Sequence, residues 1–101
     1  MKNFIPTPTI SEILTEEFLK PLDISAYRLA RDIAVPVSRI QDILKGKRKI
    51  TADTSLRLAK YFNVSDDFFL NIQTEIDIRN EKIKLESTIQ NIHPVATPVI
   101  A

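Results

Sequence analysis

The sequence predicts an all-α fold, a five-helix bundle with a C-terminal helical extension. Three observations carry this. Apolar residues recur three and four apart in one segment after another, the spacing that lines one face of a helix. Ser, Thr or Asp open these segments, and proline, asparagine or the single glycine closes them. No run alternates apolar and polar residues for long enough to make a strand.

Taken in order, Pro6 and Pro8 keep residues 1–8 extended as an N-terminal arm. Thr9-Ile10-Ser11-Glu12 fits a capping box, in which the threonine hydroxyl takes a free amide and the glutamate reaches back. The first helix runs to about Lys20 and buries Ile10, Ile13, Leu14, Phe18 and Leu22, and Pro21 ends it. Ser25 is the N-cap of the second helix. Leu29, Ala30 and Ile33 are its buried face, with Ala30 small where another helix must come close. Pro36 occupies the first turn of the third helix, where its missing amide hydrogen costs nothing. Ile40, Ile43 and Leu44 form the inward stripe of that helix. Gly46 suits the left-handed residue that closes its end.

The fourth helix starts near Thr51 with Asp53 in its first turn. It draws apolar contacts from Leu56, Leu58, Ala59 and Phe62, and Asn63 is its C-cap. Ser65-Asp66-Asp67 open the fifth as an N-cap followed by two carboxylates at the positive end of the helix dipole. Phe68, Phe69, Ile72 and Ile76 come next. Residues 9–77 thus make one domain, and residues 78–101 an extension and tail. Within the extension Ile78, Leu85 and Ile92 stand seven apart with Ile89 between them. So narrow a stripe suits docking onto a partner or onto the chain's own globular part. The pattern fits a helix continuing to about Ile92, which His93-Pro94 ends, and the last apolar residues form a flexible tail.

A chain of 101 residues supports one small core. The absence of cysteine excludes disulfides, thiolate zinc sites and cysteine nucleophiles, and fits a cytoplasmic protein. No apolar stretch approaches the roughly 20 residues of a membrane span, and the N-terminus lacks the apolar core of a secretory signal. The formal net charge of +1 hides an uneven distribution. Arg28 to Lys60 carries nine basic and three acidic residues, a formal +6. The rest carries five basic and ten acidic residues, a formal −5. The centre attracts a polyanion and the flanks do not.

Little supports catalysis. The one histidine, His93, has no partner at ligand spacing. Glu16 and Glu17 are adjacent on a helix and point apart, and no glycine-rich loop cradles a phosphate. Neither a cofactor nor a metal is expected. The stretch Ser25–Thr51 is the informative one: two short helices joined by a tight turn, ending in Lys47-Arg48-Lys49. That arrangement puts a helix into the DNA major groove. With Ile40, Ile43 and Leu44 inward, Val37, Ser38, Gln41, Asp42 and Lys45 turn outward. Ser38 and Gln41 hydrogen-bond base edges, and Val37 suits a thymine methyl. Arg39 reaches either a guanine edge or a phosphate. Asp42 accepts from a cytosine amine or orients Arg39 or Lys45. Lys45, Lys47, Arg48 and Lys49 suit phosphates, and Ser25 joins them at the start of the second helix. Against this stands the plainer reading of a structural helix pair with a solvated cationic face.

Several pieces stand in order along the chain: Glu12-Ile13-Leu14 with Glu16-Glu17-Phe18 and Pro21-Leu22; Leu29-Ala30-Arg31; Val35-Pro36 with Ser38-Arg39-Ile40; Ile43-Leu44 with Gly46-Lys47-Arg48; Ile50-Thr51-Ala52-Asp53-Thr54; Leu56-Arg57-Leu58-Ala59; and Phe68-Phe69-Leu70-Asn71-Ile72-Gln73. In these the chain resembles the HigA-type antitoxins of the XRE, or lambda-repressor-like, helix-turn-helix family. The resemblance runs from about Pro8 to Asp77. It implies a lambda-repressor-like bundle with two tasks: neutralising a HigB-type mRNA-cleaving toxin, and binding operator DNA as a homodimer to repress its own operon. It also implies a dimer formed by the fifth helix and the segment after it, for which Phe68, Phe69, Ile72 and Ile76 are the candidate residues. Three positions depart from the family pattern. Ala34 stands where the turn usually has glycine, which costs about 1 kcal/mol if φ is positive. Ala26 replaces a phosphate-gripping glutamine, and Phe69 a tryptophan. A stand-alone repressor, or a toxin-binding module with weak DNA affinity, are the competing readings.

Overall fold

The computed structural model describes residues 7–96, and among them it contains helices and no strand. The expected extended arm before Thr7 and the tail beyond residue 96 lie outside the described residues. The Thr9 capping box forms as expected: the Glu12 amide donates to Thr9 Oγ1 at 3.0 Å, and the Thr9 amide to Glu12 Oε1 at 3.3 Å. It opens α1, Ile10–Leu14, which passes without a break into a π-helical turn, Thr15–Leu19. There the Lys20 amide reaches the Thr15 carbonyl at 2.9 Å, one residue further back than in an α-helix. This wider turn brings Phe18 and Leu19 inward together. Leu22, expected in the core, lies past the helix end and is 55% exposed, while Leu19 is 6% exposed.

The remaining elements are α2 (Ala26–Asp32), α3 (Val37–Leu44), α4 (Ala52–Phe62), α5 (Phe68–Lys84) and α6 (Glu86–Gln90). The first four helical segments end alike. Asp23, Ala34, Gly46 and Asn63 have φ of 54°, 60°, 75° and 58°. The amide after each reaches back to the carbonyl five residues earlier: Ile24 to Leu19, Val35 to Ala30, Lys47 to Asp42 and Val64 to Ala59, at 2.8–3.0 Å. This closure satisfies carbonyls that the helix end would leave open. Gly46 and Asn63 were expected in that role. Ala34 also adopts it, without glycine's freedom.

Leu14, Leu29, Ile40, Ile43, Leu58 and Phe69 are fully buried at the centre. Beside them Phe18, Phe62, Phe68 and Phe69 pack with ring centroids 4.9–6.0 Å apart, in tilted and edge-on arrangements that aromatic quadrupoles favour. The inward face of α4 differs from expectation. Leu56 is 51% exposed, and Thr54 and Ser55 are buried instead. Ser55 Oγ donates to the Asp66 carbonyl at 2.8 Å and accepts the Leu70 amide at 3.3 Å. The first turn of α5 is therefore capped by a hydroxyl from α4. That corrects the expected N-cap at Ser65: α5 begins at Phe68, Asp67 precedes it without a side-chain cap, and Ser65 contributes a carbonyl to the turn.

The fifth helix also revises the expected partner-facing residues. Phe69 has no exposed surface, and Phe68 and Ile72 pack partly against the same core. Ile76 is half-buried in a shallow hollow with Thr7, Pro8, Ile13 and Arg79. Phe69 cannot meet a partner, because it is buried against Phe18 of the π-helical turn and Phe62 of α4. Helix α5 continues past Asp77 as expected, but the continuous helix to about Ile92 is not formed: α5 ends at Lys84, the chain bends at Leu85 (φ −98°, ψ 10°), and α6 ends at Gln90. From Ile78 to Ala96 every residue is exposed. The radius of gyration, 17.2 Å, exceeds the roughly 13 Å of a compact chain this long because of this projecting arm. Among the described residues no helix is long and apolar enough to cross a membrane.

Candidate nucleic-acid interface

The interface is built from α2, the turn and α3. Ser25 Oγ accepts the Arg28 amide at 3.0 Å and starts α2, as its position before an amphipathic segment predicts. Pro36 is the N-cap of α3 with extended backbone (φ −61°, ψ 143°), one residue before the first-turn place expected for it. Its carbonyl accepts the Arg39 amide at 3.0 Å. Burial of Ile40 and Ile43 turns α3 over a defined edge. At its far end Ser11 Oγ donates to the Leu44 carbonyl at 2.6 Å, which ties α3 to α1.

The residues expected at base edges separate into two groups. Ser38 and Gln41 are exposed, and among the described residues no hydrogen bond holds their side chains. They form an available donor and acceptor pair on the outer face of α3. Val37 is half-buried against the core, so only part of its side chain is free. Asp42 is half-buried, and its carbonyl accepts the Lys47 and Arg48 amides at 2.8 and 3.2 Å. This folds the basic turn back onto the end of α3. Arg39 is engaged elsewhere: its Nη1 donates to Asp53 Oδ1 at 2.8 Å, and its side chain is 27% exposed.

Of the expected phosphate contacts, Lys45, Lys47 and Arg48 are exposed, and among the described residues no carboxylate pairs with them. Lys49 pairs with Asp77 of α5 at 3.0 Å, at a surface where such pairs exchange readily. Ser25 is exposed, its oxygen already accepting the Arg28 amide. Gly46 shapes this turn, and nothing lies within 4 Å of where its Cβ would stand, so backbone conformation alone favours glycine there.

Sequence reasoning missed the residues that hold the turn. Arg57 Nη1 donates to the Ile33 carbonyl at 2.8 Å and the Ala34 carbonyl at 3.2 Å, and its Nε to Asp53 Oδ1 at 2.8 Å. Hydrogen bonds from Arg57 first, then Arg39, hold the Asp53 carboxyl below its ordinary range. On the other side Tyr61 OH donates to Asp32 Oδ2 at 2.6 Å. That bond, with help from Arg31 and Arg28, lowers the Asp32 carboxyl; the same bond, with desolvation and the Asp32 charge, raises the Tyr61 phenol against the opposing pull of Arg28. Only the spacings of four, Asp53–Arg57 and Arg28–Asp32, were visible in the sequence. The contacts across 24 and 29 residues, Arg57 to Ile33 and Tyr61 to Asp32, had no local signal. Among the described residues no group of three His, Cys, Asp or Glu side chains is placed to hold a metal ion.

Residues 16–69 match the family model described as Helix-turn-helix, a span that contains all of α2, α3 and α4. The chain is 43% identical over 96 residues to virulence-associated protein I of Dichelobacter nodosus, a match covering 95% of this chain and 88% of that protein. Among solved structures it is similar to the Pseudomonas aeruginosa antitoxin HigA with higBA promoter, at 35% identity and a TM-score of 0.80, covering 87% of this chain and 97% of that one. It is also similar to an addiction module antidote protein of a HigA family from Coxiella burnetii, at 39% identity and a TM-score of 0.79, covering 94% and 100%.

Proposed function

Since the chain belongs to the XRE-type helix-turn-helix family and is a relative of the HigA antitoxins, we propose that it acts as an antitoxin and repressor that reads an operator with α3. The observation that carries this is the pairing of two surfaces. Ser38 and Gln41 stand free on α3, and Lys45, Lys47 and Arg48 stand free at its end. The lysines and Arg48 neutralise phosphates and set the register on the duplex. Ser38 and Gln41 then read base edges, with Val37 and Asp42 at the margins. Ser25 and Lys49 add backbone contacts, the latter after giving up Asp77.

The finer assignments are a homodimer and a HigB-type mRNA-cleaving toxin as partner. The dimer would place two α3 helices about 34 Å apart, one turn of the duplex. Support for it comes from the projecting arm, where Ile78, Leu85, Ile89 and Ile92 are 53%, 41%, 46% and 66% exposed. Exposed apolar side chains gathered along a projecting arm mark a surface for contact with another protein. Support for the toxin comes from the relatives named as antitoxin and antidote.

The test is binding of the full chain to DNA from upstream of its own coding sequence, across a salt series. A specific complex whose log K falls with log salt by about 0.9 per phosphate neutralised is expected. A flat salt dependence would leave the basic turn as a solvated face. Co-expression with the neighbouring small reading frame tests the antitoxin role: that frame alone should arrest growth, and this chain should restore it.

A further inference from the structure

We infer that Asp53 is a positioning residue for DNA reading, clamping α3 to the turn before it through Arg39 and Arg57. A single carboxylate oxygen, Oδ1, accepts from Arg39 Nη1 and from Arg57 Nε, both at 2.8 Å. Arg57 reaches on from there to the Ile33 and Ala34 carbonyls. The end of α2, the turn, α3 and α4 thus meet at one network. An isolated surface ion pair contributes little. Here two guanidinium groups, 27% and 39% exposed, converge on one acceptor and on two main-chain carbonyls. Such a network acts on orientation. Base-reading side chains must be held to about half an ångström, and Arg39 lies on the same short helix as Ser38 and Gln41. Arg39 therefore serves as the handle by which α3 is set, and the exposed Ser38 and Gln41 do the reading.

Charge alone argues the reverse. Asp53 is a negative group inside the cationic stretch, and its removal should tighten binding to any DNA. The two accounts differ in sign for the operator, and that makes the clamp testable. The inference rests on the DNA-binding reading above.

The experiment compares the full-length wild type with Asp53→Asn, Asp53→Glu, Arg39→Gln and the double variant D53N/R39Q. Affinity is measured for operator and for random duplex over a salt series. D53N should lose roughly tenfold in operator affinity, keep or gain affinity for random duplex, and retain the wild-type salt slope. D53E should recover most of the loss, because the charge and both acceptor oxygens remain. R39Q should lose a similar amount, and the double variant no more than either. Operator binding by D53N as tight as the wild type, or single losses that add, would overturn the clamp. If D53N fails to fold in a thermal melt, R39Q decides by the same criteria, since it removes the other half of the contact. If the wild type prefers no DNA, the DNA-binding reading fails by itself. The clamp is then judged by the amide resonances of Ser38 and Gln41, which D53N must shift; unshifted resonances overturn it.

Discussion

Arg57 Nη1 sits 2.8 Å from the carbonyl oxygen of Ile33, 24 residues earlier in the chain, and ties the outer side of α4 to the end of α2. The same nitrogen touches the Ala34 carbonyl at 3.2 Å. Ala34 occupies the left-handed region at φ 60°, a conformation that alanine adopts only at a cost. Arg57 thus supports from outside a turn that its own residue type does not favour.

Two substitutions separate the strain from the support. Ala34→Gly should raise stability by up to about 1 kcal/mol, because glycine enters this region without a Cβ penalty. Arg57→Ala should lower it by about 1 kcal/mol, the contribution of charge-assisted hydrogen bonds reduced by partial exposure. Arg57→Lys should recover little, since an ammonium cannot fork between two carbonyls and Asp53. Urea midpoints measure all three. An Ala34→Gly variant no more stable than wild type would mean that the turn carries no strain.

Ser55→Ala should destabilise by about 1–2 kcal/mol, because it leaves the Asp66 carbonyl and the Leu70 amide without their shared partner. The loss is local to the start of α5. Hydrogen exchange at Leu70 should therefore accelerate more than at residues of α3; uniform acceleration would mean that Ser55 acts only through the global equilibrium.

The Tyr61–Asp32 bond should show in pH dependence. The Asp32 carboxyl is depressed, so its contribution is present above its ordinary value near pH 4 and is lost as pH falls through the lower folded value. The Tyr61 phenol is raised, so its contribution is present below about pH 10 and is lost as pH rises through the higher folded value. Tyr61→Phe removes the phenol's contribution and the largest part of the Asp32 depression, leaving the part due to Arg31 and Arg28. The wild-type advantage over it should hold steady between those limits and shrink beyond each. Asp53 titrates alike in both proteins and cancels. An advantage that stays constant down to the lowest pH would show that the bond makes no use of the Asp32 charge.

Gln41→Ala and Lys47→Ala should fail differently. The first should relax sequence preference while leaving the salt slope intact. The second should weaken binding across sequences and reduce the slope by about 0.9 for each phosphate that is no longer neutralised. Anisotropy titrations on a set of single-base operator variants distinguish them; identical profiles would remove the division between reading and anchoring residues.

Much of the local structure was legible because its signals are local. Thr9, Ser25, Thr51, Gly46 and Asn63 mark helix ends within three or four residues of the groups they satisfy, and the structure uses each as expected. Leu22 and Leu56 were misplaced for a different reason. A π-helical turn changes register without any sequence mark, and the inward face of α4 is set by a hydroxyl that caps another helix. Apolar residues at helical spacing do not reveal either.

By itself, the sequence determined the helices, their ends and the cationic stretch, since capping, periodicity and charge act over a turn or less. It also placed Ser38 and Gln41 on the outside of α3, and Lys45, Lys47 and Arg48 exposed at its end. Tertiary packing decided which of its neighbours are free. It put Phe69 in the core, left Ile78 to Ile92 uncovered, and bound Arg39 and Arg57 to Asp53. Whether a long charged side chain faces a carboxylate or solvent depends on what the fold brings beside it, and those partners lie 14 to 24 residues away along the chain.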